Sequence, residues 1–298
     1  MTAYQASSIK PKRFRSTKTD MATLRVDLFD IVAEMHPMTV RQVFYQATVR
    51  GLVDKSEAGY SKVQGNLSIM RRSGMLRYDW LADNTRWQRK PQTFDSVQEA
   101  FEDAAHFYRK ALWTDINAYV EIWLEKDALS GVIMPVTEVY DVPLMVARGY
   151  ASLSFLYEAG SYINDLTVPA YIYHLGDFDP SGVNAGEKIE ESLREYAPDA
   201  ELYFERIAVT PDQIKKWGLP TRPTKTSDTR SKGFGDISVE LDAIAPDDLR
   251  NLVEQTIQKH LPKRQLKILQ AAEESERQMM LGLVSMVADM PLGDSADA

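Results

Sequence analysis

From Asp20 to about Asp83, apolar residues recur at helical spacing: Leu24, Leu28, Ile31 and Val32, then Val40, Val43, Phe44 and Ala47. A stripe repeating every three and four residues marks a helix with one buried face. "SKVQGNLSIMRRSGMLRYDWL" carries the pattern into a further helix, which should stop near Gly74 and lead into a short extended piece. Short helices followed by a small hairpin are the outline of a winged-helix or helix-turn-helix module. "DNTRWQRKPQTFD" is polar, contains a proline and reads as a linker, and "SVQEAFEDAAHFYRKALW" predicts a connecting helix capped by Asp95 or Ser96.

From Ala118 the rhythm changes. "AYVEIWLE", "VPLMVA", "PAYIYHL" and "AELYFERIAV" are strand-like, and "DALSGVIMPVTEVY", "SLSFLYEAGSYI" and "SGVNAGEKIEESLREY" between them are helical. Strands alternating with crossover helices predict a parallel sheet covered on its faces. Residues 218–238, rich in Gly, Pro, Thr, Ser and Lys, read as a long loop, and the remainder as two helices and an acidic tail. The expected class is therefore α/β: a mostly α N-terminal winged-helix domain (20–92) after a flexible basic arm (1–19), then a connecting helix (93–117). A parallel-sheet α/β domain (118–260) and a C-terminal helix with tail (261–298) complete it.

Charge divides the chain in the same place. Residues 1–92 hold 16 Lys/Arg against 8 Asp/Glu, whereas the remainder holds 19 against 35. A basic first third suits a polyanionic partner, although a solvated surface would show the same excess. With no cysteine, thiolate metal sites, disulfides and a cysteine nucleophile are excluded, and a reducing cytoplasm is the natural home. No apolar run reaches the length of a membrane span, and the basic N-terminus has no apolar core behind it, so neither a membrane nor a secretory signal is expected.

The candidate chemistry starts at "YIYHLGDFDPSG". Asp177 and Asp179 end the third strand of the sheet unit and Glu125 ends the first. Ligands of open parallel sheets bind beyond the carboxyl ends of the strands. Carboxylates on that rim, with no cysteine and with histidines only at 36, 106, 174 and 260, favour a hard cation held through oxygen. Mg²⁺ is the expected ion, with Mn²⁺ as a substitute. The plainer alternative is that Asp177 and Asp179 cap the following helix. An aspartyl-phosphate phosphatase also ends a strand in D-x-D, but that is the first strand of its fold.

A second constellation is "TVRQVFYQATVRG". On a helical wheel Val40, Val43, Phe44 and Ala47 form an apolar stripe, and Arg41 and Tyr45, four apart, lie together off it. A partly exposed tyrosine one turn after an arginine can face a phosphate. Its phenol, ionising near pH ~10, becomes a nucleophile only beside a cation, base or metal. A surface tyrosine that merely packs its ring has the same pattern.

"TVRQVFY" resembles the tyrosine motif of the topoisomerase VI A subunit and its relative, the meiotic double-strand-break transesterase. "VEIWLEKDAL" is similar to the glutamate strand of their toprim domain, and "GDFDPSG" to its aspartate motif. The order agrees, and "VELDAIAPDDLRNLV" extends the likeness to about residue 255. The resemblance implies Mg²⁺-dependent cleavage of duplex DNA by transesterification. Tyr45 would be the nucleophile, Arg41 its phosphate-binding neighbour, and Glu125, Asp177 and Asp179 the metal site, with Lys126 on phosphate. It also implies a homodimer, in which the tyrosine of one copy meets the metal site of the other, and a separate ATPase subunit, since no G-x-x-x-x-G-K-[ST] loop is present. Phe44 stands where the family often has the first of two tyrosines. The rival readings are a metal-dependent hydrolytic nuclease with the same layout and a non-catalytic DNA-binding subunit.

Overall fold

The computed structural model describes residues 18–82, 92–224 and 234–288. Most of the expected basic arm, much of the linker, the middle of the long loop and the acidic tail lie outside them. The chain begins with three helices, α1 (Lys18–Met35), α2 (Val40–Val49) and α3 (Glu57–Arg72). Capping boundaries are local: Thr39 and Gln42 form a reciprocal capping box on α2, and the Ser56 side chain accepts from the Gly59 amide on α3. Gly74, with φ of 75°, follows the end of α3, as its position in the sequence suggests. The next segment makes a 3-10 turn at Tyr78–Trp80 and a single bridge from Leu81 to Met38. The extended piece expected after Gly74 is thus a turn and one bridge, and the described residues 75–82 form no hairpin.

After α4 (Val97–Phe107), capped by Ser96, come β1 (Tyr119–Leu124), α5 (Ser130–Val139), β2 (Leu144–Val146) and α6 (Leu153–Asn164). They are followed by β3 (Ala170–Leu175), α7 (Pro180–Tyr196) and β4 (Leu202–Ala208). These four strands form one parallel sheet in the order β2-β1-β3-β4. The α/β class and the strand–helix alternation are as expected. On one face Trp123, Ile172, Leu156, Ile163, Ile189 and Leu193 pack under α6 and α7. On the other, Ile122, Leu124 and Leu175 join a cluster that includes residues of α5 and of two later helices, α9 (Pro246–Gln258) and α10 (Lys263–Ala288). Coverage of both faces explains why β1 and β3 read as nearly unbroken apolar runs.

Between β4 and α9 lie α8 (Pro211–Trp217) and a two-residue antiparallel pair, β5 (Arg222–Pro223) with β6 (Ile237–Ser238). The chain then runs over the end of the sheet as a strap. Val239 exchanges backbone hydrogen bonds with Phe178, and a 3-10 turn follows at Leu241–Ala243.

The N-terminal helices pack into the same core as the α/β part. Leu28, Ile31, Val43 and Ala47 belong to the same buried cluster as Ile122, Leu124, Leu241 and Val253. Arg250 of α9 donates to the carbonyls of Met35 and Pro37, tying the α1–α2 corner to the α/β part. Among the described residues, no helix is long and apolar enough to cross a membrane.

Candidate active site at the carboxyl edge of the sheet

Strand order decides where a site can form. From β1 the chain crosses to β2 on one side, and later returns to place β3 on the other. Neighbouring connections therefore diverge between β1 and β3, leaving a crevice at their carboxyl ends. Glu125 and Lys126 follow β1 there, and Asp177 and Asp179 follow β3.

The turn after β3 is held by backbone contacts. A Glu125 carboxylate oxygen accepts from the Asp177 amide at 2.9 Å. A Cβ at Gly182 would sit 2.5 Å from the Asp177 carbonyl oxygen, so only glycine fits there, and one at Gly176 would displace that Glu125 oxygen, 2.6 Å away. Beneath the turn, Arg206 of β4 donates to the carbonyls of Gly176, Asp177, Gly182 and Val209. His174 fills the remaining space, buried with neither ring nitrogen hydrogen-bonded. Burial, and secondarily Arg206, push its pKa down to about 3, so it is a neutral packing group.

The carboxylates have different neighbours. Asp177 accepts from the Leu241 amide at 2.8 Å and from the Lys126 ammonium at 2.9 Å. Asp179 is the N-cap of α7, accepting from the Gly182 amide at 2.8 Å, and its other oxygen meets Arg222 at 3.0 Å. The helix-cap alternative thus describes Asp179 and leaves Asp177 and Glu125 for other work. Burial raises the pKa of Glu125, and the neighbouring Asp177 raises it further. Burial also raises that of Asp177, with Lys126 pulling the other way. Among the described residues, no three His, Asp or Glu side chains are grouped to hold a metal ion. Half-buried Glu125 and buried Asp177, at the ends of adjacent strands, are the carboxylates that could serve a cation bound through one or two of them, with water and phosphate completing its shell.

Lys126 lies among acids rather than reaching outward. Its ammonium is 2.8 Å from Asp242, 2.9 Å from Asp177 and 3.6 Å from Glu240. Burial works against its charge, yet these carboxylates raise its pKa above the ordinary lysine value. Glu240 and Asp242 come from the strap, in the "VELDAIAP" segment. Arg222 at 2.9 Å and Arg41 both contact Glu240, and the Thr39 hydroxyl donates to Asp242 at 3.1 Å. Burial would raise Glu240, but Lys126, Arg41 and Arg222 outweigh it and hold its pKa below the usual range. The strap thus joins α2 to the acidic rim.

Tyr45 differs from expectation. It belongs to the buried cluster and is only 4% exposed, where the helical wheel suggests a partly exposed residue. A wheel considers one apolar face, whereas α2 packs against α1, α3 and the strap turn together. Burial, then the nearby Glu240, push its phenol up to about 12, and Arg41 and Lys126 oppose the shift. Tyr45 still forms part of the wall of a groove of about 550 Å³, with Arg41, Lys55, Tyr60, Arg222 and Glu240. An adjoining groove of about 600 Å³ shares Arg41 and Tyr60 and adds Arg71, Arg148, Glu125 and Lys126.

By sequence comparison the chain matches no family model and no curated protein.

Arg222 and Arg206 carry no sequence motif. Arg222 lies in a loop rich in turn formers, and Arg206 in an ordinary strand. The E-x-D spacing of Glu240 and Asp242 was the available signal for the strap.

Proposed function

We propose that the protein cleaves duplex DNA by transesterification, in the manner of the topoisomerase VI A subunit that its motifs resemble. The observation that carries this reading is the continuous set of contacts from α2 to the sheet edge. Arg41, one turn from Tyr45, touches Glu240; Lys126 links Glu240 to Asp177; and Asp177 adjoins Glu125. The helix that carries Tyr45 and the acidic rim are therefore held in one frame by cationic side chains, and in the proposed homodimer Tyr45 of one copy would face the rim of the other. In the reaction the Tyr45 oxygen bonds to phosphorus as the bond to a sugar oxygen breaks; the phenol loses its proton and the sugar oxygen gains one. Arg41 and Arg222 supply positive charge for the phosphate oxygens. A divalent cation bound by Glu125 and Asp177 would add Lewis-acid stabilisation of that charge. The grooves, lined by Arg41, Lys55, Arg71, Arg148 and Arg222, are suited to salt-sensitive backbone contacts. A homodimer, each copy cutting one strand, and a separate ATPase subunit for strand passage belong to the same proposal.

The burial and raised pKa of Tyr45 favour one alternative, a hydrolytic nuclease in which water attacks and Tyr45 only packs. Incubation with supercoiled plasmid and Mg²⁺, followed by denaturation, separates them. Transesterification leaves DNA ends covalently attached to protein, and Tyr45→Phe abolishes both cutting and adduct. Undiminished cutting by Tyr45→Phe without adduct would establish the nuclease. Asp177→Asn is expected to lose cleavage in either case, and full cleavage by it would sink both.

A further inference from the structure

Glu240 is an anion surrounded by cations. One carboxylate oxygen meets Arg222 at 2.9 Å; the other meets Arg41, with the Lys126 ammonium 3.6 Å behind it. The carboxylate side chain is 8% exposed, whereas Arg41 and Arg222 remain 44% and 32% exposed toward solvent. Arg41 is also braced from its other side, its guanidinium 5.4 Å from the centre of the Tyr60 ring. Lys55, on the same groove wall, lies 5.5 Å from the Tyr45 ring and donates to the carbonyls of Pro220 and Thr221. The groove thus presents Arg41, Lys55 and Arg222, and its acidic lining residues are Glu57 and Glu240.

Two guanidiniums converging on one anion are the geometry by which proteins hold phosphate, because each planar fork offers donors that match its oxygens. A structural ion pair needs one partner; here a single carboxylate is shared by two arginines at the wall of an open groove. We propose that Arg41, Arg222 and Lys55 form a phosphate-binding site which the chain keeps closed with the carboxylate of its own Glu240. Phosphate enters by displacing that side chain, so the strap competes with the ligand. The ligand class is a phosphate group, either free or in a nucleic-acid backbone. Only the backbone option rests on the proposed DNA-cleaving function.

The test is binding, not cleavage, so its failure is distinct from failure of that function. Affinity for pyrophosphate and for a short duplex DNA is measured by calorimetry at low salt, without divalent metal. Glu240→Gln should bind at least one of them tenfold or more tightly than the wild type. A gain for DNA alone identifies a backbone phosphate, a gain for pyrophosphate alone a free one, and either upholds the site. Adding Arg41→Gln to Glu240→Gln should remove the gain. Glu57→Gln deletes a charge from the same groove without touching the arginines and should change affinity less than twofold. Equal gains in Glu57→Gln and Glu240→Gln, or no gain in Glu240→Gln, overturn the proposal. If Glu240→Gln fails to melt cooperatively, Glu240→Asp replaces it, since a carboxylate one methylene shorter draws back from the arginines. Unchanged or weaker binding by Glu240→Asp would then overturn it.

Discussion

Glu125 carries an electrostatic cost at the proposed site. Its carboxyl is half-buried beside Asp177, and both effects raise its pKa. A carboxyl whose folded pKa lies above the unfolded value loses stability as pH rises through that window, and the cost persists at neutral pH. Glu125→Gln is therefore expected to raise the melting temperature at pH 7 by a few degrees, roughly what relief of ~1 kcal/mol gives, while abolishing cleavage. A fall in melting temperature, read by calorimetry, would contradict the burial account. Glu240 has the opposite sign. Its depressed pKa stabilises the fold above the ordinary glutamate value, and that contribution disappears as pH falls through the lower one. Below about pH 4 the wild type should therefore lose stability more steeply than Glu240→Gln, in melts run across the acid range. The helical wheel found Arg41 and Tyr45 on one helix, yet only the surrounding elements determine that Tyr45 is covered.

At the scale of elements, the turn from β3 into α7 depends on Arg206. Its guanidinium serves the carbonyls of Gly176, Asp177, Gly182 and Val209, and burial lowers its pKa although Glu125 and Asp177 favour its charge. Arg206→Met removes those donors without a large loss of volume. It should cost about 2–4 kcal/mol in urea unfolding, the range for leaving buried acceptors and charges uncompensated. A cost below about 0.5 kcal/mol would mean that the turn holds itself, as ordinary surface changes do. Local signals set the helix boundaries well: Ser96 caps α4, and Pro180 opens α7 behind Asp179. The same kind of signal was present at α8, where Thr210 and Gln213 form a capping box and Gly218 ends the helix with φ of 58°. That helix escaped the periodicity reading because seven residues make only two turns, too few for an apolar stripe.

Across the whole molecule, one buried cluster runs from α1–α3 through the sheet to α9 and α10. The charge division falls at the expected domain boundary, but charge resides on the surface while cooperativity follows the core. A fragment of residues 93–288 would expose the faces that Leu28, Ile31, Val43 and Ala47 now cover. It is expected to lack a cooperative thermal transition, whereas the full chain should unfold in one step followed by calorimetry. A sharp transition in the fragment near that of the whole chain would show that the two parts fold independently.

The amino-acid sequence by itself determined the strand–helix alternation, the ends of most helices and the presence of acids at the ends of β1 and β3. These follow from local causes: side-chain periodicity, capping chemistry and backbone freedom at glycine act within a few residues. Tertiary structure alone decided which charges neutralise one another. Lys126 meets Asp242 across 116 residues, and Arg41 meets Glu240 across 199. No periodicity spans such distances. The partners meet because sheet order opens a crevice between β1 and β3, and the strap pairing with Phe178 delivers Glu240 and Asp242 into it.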